Sequence, residues 1–240
     1  MSPRTVAMSA LGHRRLAALP VLAALLAGTA LSGCDSPGRR SDSVVPTQAP
    51  APSASPGTED LAAALLTTAQ LPAGYVKTVL RDDPPTRSDR PVCLNSINSL
   101  ESARVSHPDA VEARVDFAMS QSGPFLRQVL RRLPGSGARQ DLEQAARTLS
   151  GCPEFSIGWS DGSTGTEQVE PHGSAGIGDA SWHATVTATT GTFTVQETLV
   201  LVAAGRTLLV LGDAGSPAAP ERSRTLALAR TALSRLPRRP

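Results

Sequence analysis

Gly158-Trp159-Ser160-Asp161-Gly162 matches the G-x-S-x-G pattern of serine hydrolases. In that chemistry a sharp strand-to-helix elbow exposes the serine, and a histidine and an acid follow it in space. Asp179 and His183 come later in the chain in an order that would serve a triad. The residues after the motif, Ser163, Thr164, Gly165 and Thr166, do not open a helix. The competing reading is a Ser-Asp-Gly turn between two strands, and the composition favours it. No catalytic residue is therefore assigned.

Other residues invite metal or phosphate chemistry. His172, Asp179 and His183, with Glu170 nearby, could share a metal, but their spacing follows no ligand pattern. His183 beside Trp182 on a strand reads as a packed or surface residue, so no metal and no cofactor is expected. Gly173, Gly176 and Gly178 resemble a phosphate loop by content alone. A strand follows them, and no helix N-terminus is available to hold an anion.

Cysteines carry the clearest chemistry. Residues 1–33 have the layout of an export signal: Arg4, Arg14 and Arg15, then an apolar run from Leu16 to Leu31. The run ends in Leu31-Ser32-Gly33-Cys34, which resembles the lipobox of bacterial lipoproteins. Cleavage would fall before Cys34, and its thiol would carry a diacylglyceryl group. At about 0.8 kcal/mol per buried methylene, two long chains (palmitate-like) hold a protein on a membrane without any spanning helix. The export route, general secretory or twin-arginine through Arg14-Arg15, stays open. Cys93 and Cys152 remain as an even pair in an oxidising compartment and read as one disulfide. Free buried thiols are the alternative. A metal site is disfavoured because neither cysteine has a CxxC or histidine partner nearby.

Charge excludes some partners. The chain has 23 basic and 21 acidic residues, and removal of the three signal arginines leaves 20 basic ones. A balanced, aromatic-poor chain offers neither a basic face nor stacking platforms, so no nucleic acid is expected. Lys77 is the only lysine, and Ala, Gly, Pro and Arg abound, as in proteins of high-GC genomes. Arg222, Arg224, Arg230 and Arg235 near the C-terminus read as a solvated helix face; contact with anionic envelope polymers or headgroups is the alternative.

The elements that must position these residues follow from pattern. Residues 34–57 are a Pro/Ser-rich tether that cannot bury a core. Extended at about 3.1 Å per residue, it reaches roughly 70 Å from the membrane. Residues 58–240 form one domain by length. A helix is expected over Glu59–Ala69 with Thr58 as its cap, then a strand over Tyr75–Arg81 and a polar loop over Asp82–Pro91. A helix near Pro91 carries Cys93, Ile97 and Leu100 until His107-Pro108. Val111, Ala113, Val115 and Phe117 alternate with polar residues and predict a strand. Phe125–Leu133 fits either a helix or a strand; the Ser122-Gly123-Pro124 turn favours a hairpin. Ala138–Leu149 is helical. Strands are expected over Phe155–Trp159, Gln168–Pro171, Ser181–Thr189, Thr192–Ala203 and Arg206–Gly212. Hairpin signals stand at Thr190-Gly191 and Ala204-Gly205. A last helix, about Ala218–Leu236, would bury Leu226, Ala229, Leu233 and Leu236. The fold class is α+β: an antiparallel sheet packed with several helices and held by one disulfide.

Landmarks in this order have a counterpart. "LLTTAQLPAGY" (Leu65–Tyr75), Cys93, Cys152 opening "CPEFSIGWSDG", and "GIGDASW" before a hairpin and an Ala/Leu helix resemble the extracellular sensor domains of actinobacterial receptor kinases of the PknH type. Lipoproteins carrying such a domain alone share the pattern. The resemblance spans about residues 58–236. It implies an antiparallel α+β domain whose cleft binds an extracellular ligand. The family pattern often has two disulfides, and one pair is available here. This chain shows no kinase domain or spanning segment, so any signal would pass through a partner protein. The resemblance carries over no catalytic residue.

The reading that results is a lipid-anchored protein on the outer face of the cell membrane with a non-enzymatic, ligand-binding domain. Its ligand would be a small molecule, a lipid or a wall fragment. An interaction lipoprotein docking an envelope protein is the second reading, and a hydrolase built on Ser160 the third.

Overall fold

A computed structural model describes residues 56–81, 83–101 and 109–237. The export segment, Cys34, the tether through residue 55, and His107-Pro108 lie outside the described residues. The elements are α1 (Pro56–Ala64), β1 (Val76–Thr78), β2 (Arg87–Ser88), α2 (Pro91–Glu101), β3 (Val111–Ala118), β4 (Phe125–Arg132), α3 (Gly137–Ser150), β5 (Glu154–Gly158), β6 (Thr164–Gly173), β7 (Ala180–Thr190), β8 (Phe193–Ala204), β9 (Thr207–Gly215) and α4 (Arg222–Ser234), with a 3-10 turn at Thr68–Gln70.

All nine strands form one antiparallel sheet in the order β1-β3-β4-β9-β8-β7-β6-β5-β2. β3–β4 and β5 through β9 pair as successive hairpins, while β1 pairs with β3, β2 with β5, and β9 closes against β4, with Val129 opposite Val210. Gly191 and Gly205 open the two-residue loops flanking β8 at φ +59° and +56°. A side chain there would be strained, and glycine is what primed hairpin turns ask for.

Helices cover both faces of the sheet. On one, α2 and α3 pack over Val129, Trp182, Ala184, Leu199, Leu201 and Leu208. On the other, α1 and α4 pack over Ala113, Phe117, Leu130, Val200, Val202 and Leu209. This double burial explains why β9 reads Leu208-Leu209-Val210-Leu211 without alternation. In α3, Ala138, Leu142, Ala145 and Leu149 make the buried stripe that helical spacing predicts.

Several elements depart from the sequence expectations. Phe125–Arg132 is a strand, which resolves the ambiguity in favour of the hairpin. Thr58 lies inside α1 rather than capping it, and α1 ends at Ala64. The chain leaves the sheet after Thr78 because the Leu80 amide donates to Asp116 Oδ2 and Arg114 donates to the Leu80 carbonyl. Side chains there replace the ladder partner that a longer β1 would need. β2 emerges from the polar loop, and β6 extends from Thr164 to Gly173. The buried stripe of α4 is Thr225, Leu228, Ala229 and Ala232, with Leu226, Leu233 and Leu236 only half-buried. The turn of that helix about its axis follows from Asp213, which takes Thr225 and Arg224 from above (see below).

Candidate functional site

The hydrolase triad is not assembled. Ser160 sits in the turn after β5, where the Trp159 amide bonds the Ser163 carbonyl at 3.0 Å and Asp161 Oδ1 accepts from the Ser163 amide and hydroxyl. These bonds also hold the Asp161 carboxyl below its ordinary range. His183 is paired with Gly173 at the other end of β6. That end lies on the order of 30 Å from the turn, at about 3.3 Å of rise per residue. Asp179 Oδ2 is occupied by the Gly205 amide at 2.6 Å, where it closes the β8–β9 turn.

His172 and His183 do come together, with ring centroids 5.4 Å apart. His183 Nδ1 donates to the Gly173 carbonyl at 3.0 Å, and His172 Nε2 lies 2.9 Å from Thr185 Oγ1. Burial pulls the His183 pKa below its ordinary value of 6.5, with nearby His172 and Arg222 adding to the shift. Asp179 is turned to its own partner. No cluster of three His, Cys, Asp or Glu side chains suited to a metal occurs among the described residues.

The glycine-rich loop is likewise engaged. Ser181 Oγ accepts from the Ala175 and Ile177 amides, so those donors are not presented to an anion. At Gly178 a Cβ would collide with the Ala203 carbonyl and the Val202 side chain. The glycine is there for close backbone approach.

A cleft of about 470 Å³ lies elsewhere, between α2 and α3. A volume of that size falls within the usual range for small-molecule sites. Its walls are built from helical spacing. Asn95, Ser96 and Ser99 come from successive turns of α2, and Asp141, Gln144 and Thr148 stand on one face of α3. Leu100, Ala145 and Leu208 supply apolar surface, and exposed Val92 forms a lip. Arg131 on β4 is buried beneath it. Its guanidinium reaches Glu112 Oε2 at 3.2 Å and the Ser99 and Leu100 carbonyls at 3.2 and 3.4 Å. A cation at the last carbonyls of α2 complements the helix dipole and seats that wall on the sheet.

The predicted disulfide holds the two walls together. Cys93 in α2 is bonded to Cys152, two residues past α3, with Cα atoms 5.9 Å apart. The cleft residues themselves escaped the sequence reading. The signal that could have found them is a polar stripe on each of two helices that a cystine ties together.

A second cluster joins three distant parts of the chain. Asp213 on β9 is fully buried. Its carboxylate accepts from Arg224 Nη2 at 2.9 and 2.7 Å and from the Thr225 hydroxyl at 2.9 Å. Arg224 also donates to the Tyr75 hydroxyl at 3.0 Å and lies over its ring. Burial pushes the Asp213 carboxyl above its ordinary range, and the Arg224 and Thr225 donors act against that shift. Tyr75 is raised by burial and by the nearby Asp213 charge. This cluster docks α4 and the Leu-Pro-x-Gly-Tyr segment; it faces no cavity.

No known family model and no curated protein matches the sequence. Solved structures do match the fold. The extracellular domain of PknH from Mycobacterium tuberculosis superimposes with a TM-score of 0.52 at 13% identity, covering 74% of this chain and 95% of that one. An uncharacterised Rv0999 ortholog from Mycobacterium smegmatis matches at a TM-score of 0.42 and 12% identity, covering 73% of this chain and 96% of that one. The described domain shares the fold of the PknH extracellular domain. No helix among the described residues is long and apolar enough to cross a membrane.

Proposed function

We propose that this chain is an extracytoplasmic lipoprotein, anchored through Cys34, whose domain binds a ligand in the α2–α3 cleft and performs no reaction on it. The cleft carries the reading: about 470 Å³ of space between two disulfide-tied helices. Amide and hydroxyl groups line its walls beside apolar surface. Such a lining recognises a neutral, hydroxyl-rich molecule through hydrogen bonds, and its apolar part takes the less polar face of that molecule. Asp179 and His183 are each committed to local partners, and Ser160 lies at the far end of β6 from His183, which supports binding over catalysis.

Anchoring by lipid would leave the domain tethered outside the cell, where such ligands are wall or envelope fragments. An interaction role, docking an envelope protein, is the second reading, and the exposed Val92 lip favours it locally.

The test is native mass spectrometry of the oxidised full chain carrying Cys34→Ser, mixed with an envelope extract. A discrete adduct is expected, and it should disappear in Ser96→Trp and Gln144→Trp, which fill the cleft from its two walls. An adduct that survives both variants would place binding elsewhere. A bare protein mass throughout would move the weight to the docking reading.

A further inference from the structure

A separate cavity of about 360 Å³ lies on the opposite face of the sheet, between the end of α1, the β1–β3 edge and the end of α4. Leu65, Leu66, Val115 and Phe117 give it apolar walls, and Lys77 and Arg235 also line it. Arg235 donates to the Leu65 and Ala63 carbonyls at 2.9 and 3.0 Å, which holds its guanidinium in place at the C-terminal end of α1. Neither cation is paired with a carboxylate among the described residues.

Gln128 on β4 is fully buried. Its Oε1 accepts from the Leu66 amide at 2.7 Å, but its Nε2 has no acceptor among the described residues. Leu66 and Val115, its hydrogen-bonded and cross-strand neighbours, are both cavity residues, while Gln128 itself does not line the cavity.

Two cations without a carboxylate partner beside apolar walls call for an apolar chain that ends in an anion. We infer that this cavity binds a single-chain carboxylate amphiphile, of the fatty-acid class. The carboxylate meets Lys77 and Arg235, and the chain packs on Leu65, Leu66, Val115 and Phe117. The site is independent of the α2–α3 cleft and stands or falls apart from it.

The test titrates decanoate and decanol, which share a chain length and differ in charge, into the oxidised full chain carrying Cys34→Ser, with methyl groups followed by NMR. Decanoate is expected to bind about tenfold more tightly than decanol, in keeping with charge-assisted hydrogen bonds. Its shifts should fall on Leu65, Leu66 and Val115. Lys77→Glu, at an exposed position that leaves the core untouched, should weaken decanoate about fivefold and leave decanol unchanged. Equal affinity for the two probes, no binding of either, or shifts centred on Leu100 and Leu208 would overturn the assignment.

Discussion

Arg224 reaches the fully buried Asp213 carboxylate with Nη2 at 2.9 and 2.7 Å, and this pair decides how α4 sits on the sheet. Removing the cation would strand a buried charge. Arg224→Met is therefore expected to cost about 3 kcal/mol in urea unfolding. The double variant Arg224→Met with Asp213→Leu should recover most of that loss, because two apolar residues leave no charge behind. A double variant no more stable than the single one would show that the pair does more than cancel its own burial.

His183 makes the protein sensitive to mild acid. Its folded pKa is depressed, chiefly by burial, so the folded state disfavours the proton. The stability it contributes is complete above its ordinary value of 6.5 and is lost as pH falls through the depressed folded value. Thermal unfolding of the parent should therefore fall more steeply from pH 7 to pH 5 than that of His183→Gln. Of the groups acting on it, His172 and Arg222 add to the depression and the Gly173 carbonyl bond opposes it without outweighing burial. Parallel pH profiles for the two proteins would contradict this account.

The Cys93–Cys152 bridge closes a loop with a sequence separation of 59. In the chain-entropy picture its loss costs about 4 kcal/mol. Equilibrium unfolding of the oxidised full chain against Cys93→Ala with Cys152→Ala measures this directly. Because the bridge ties the two walls of the cleft, the double variant should also lose the envelope adduct.

The proposed anchoring rests on one thiol, Cys34. Metabolic labelling with a palmitate analogue, followed by membrane fractionation, is expected to find the parent labelled and membrane-bound. Cys34→Ser should be unlabelled and should keep its uncleaved signal segment, seen as a larger mass than the parent. A labelled Cys34→Ser protein would move the attachment to another residue.

Local physics explains what was legible beforehand. Strands β3 and β7–β9, helices α2 and α3, and their hairpin glycines show in side-chain period and turn chemistry, which act over a few residues. The same locality misled at α1 and α4. The cap at Thr58 and the stripe through Leu226 and Leu233 are good local choices, and the core overrode them, in α4 through Asp213 and Thr225. The G-x-S-x-G motif is the reverse case: a local pattern whose partners the fold sets far apart.

By itself the sequence determined an antiparallel α+β domain, a single cystine between Cys93 and Cys152, and the lipobox-like signal at Cys34. Only the tertiary structure decided that β9 closes against β4, that helices cover both faces of the sheet, and that Asn95, Ser96, Gln144 and Thr148 line one cleft. Pairing between segments some eighty residues apart is settled by which arrangement buries both faces of Leu208–Leu211 at once. A side-chain period reports that one face is apolar, and it does not say against which distant partner that face will pack.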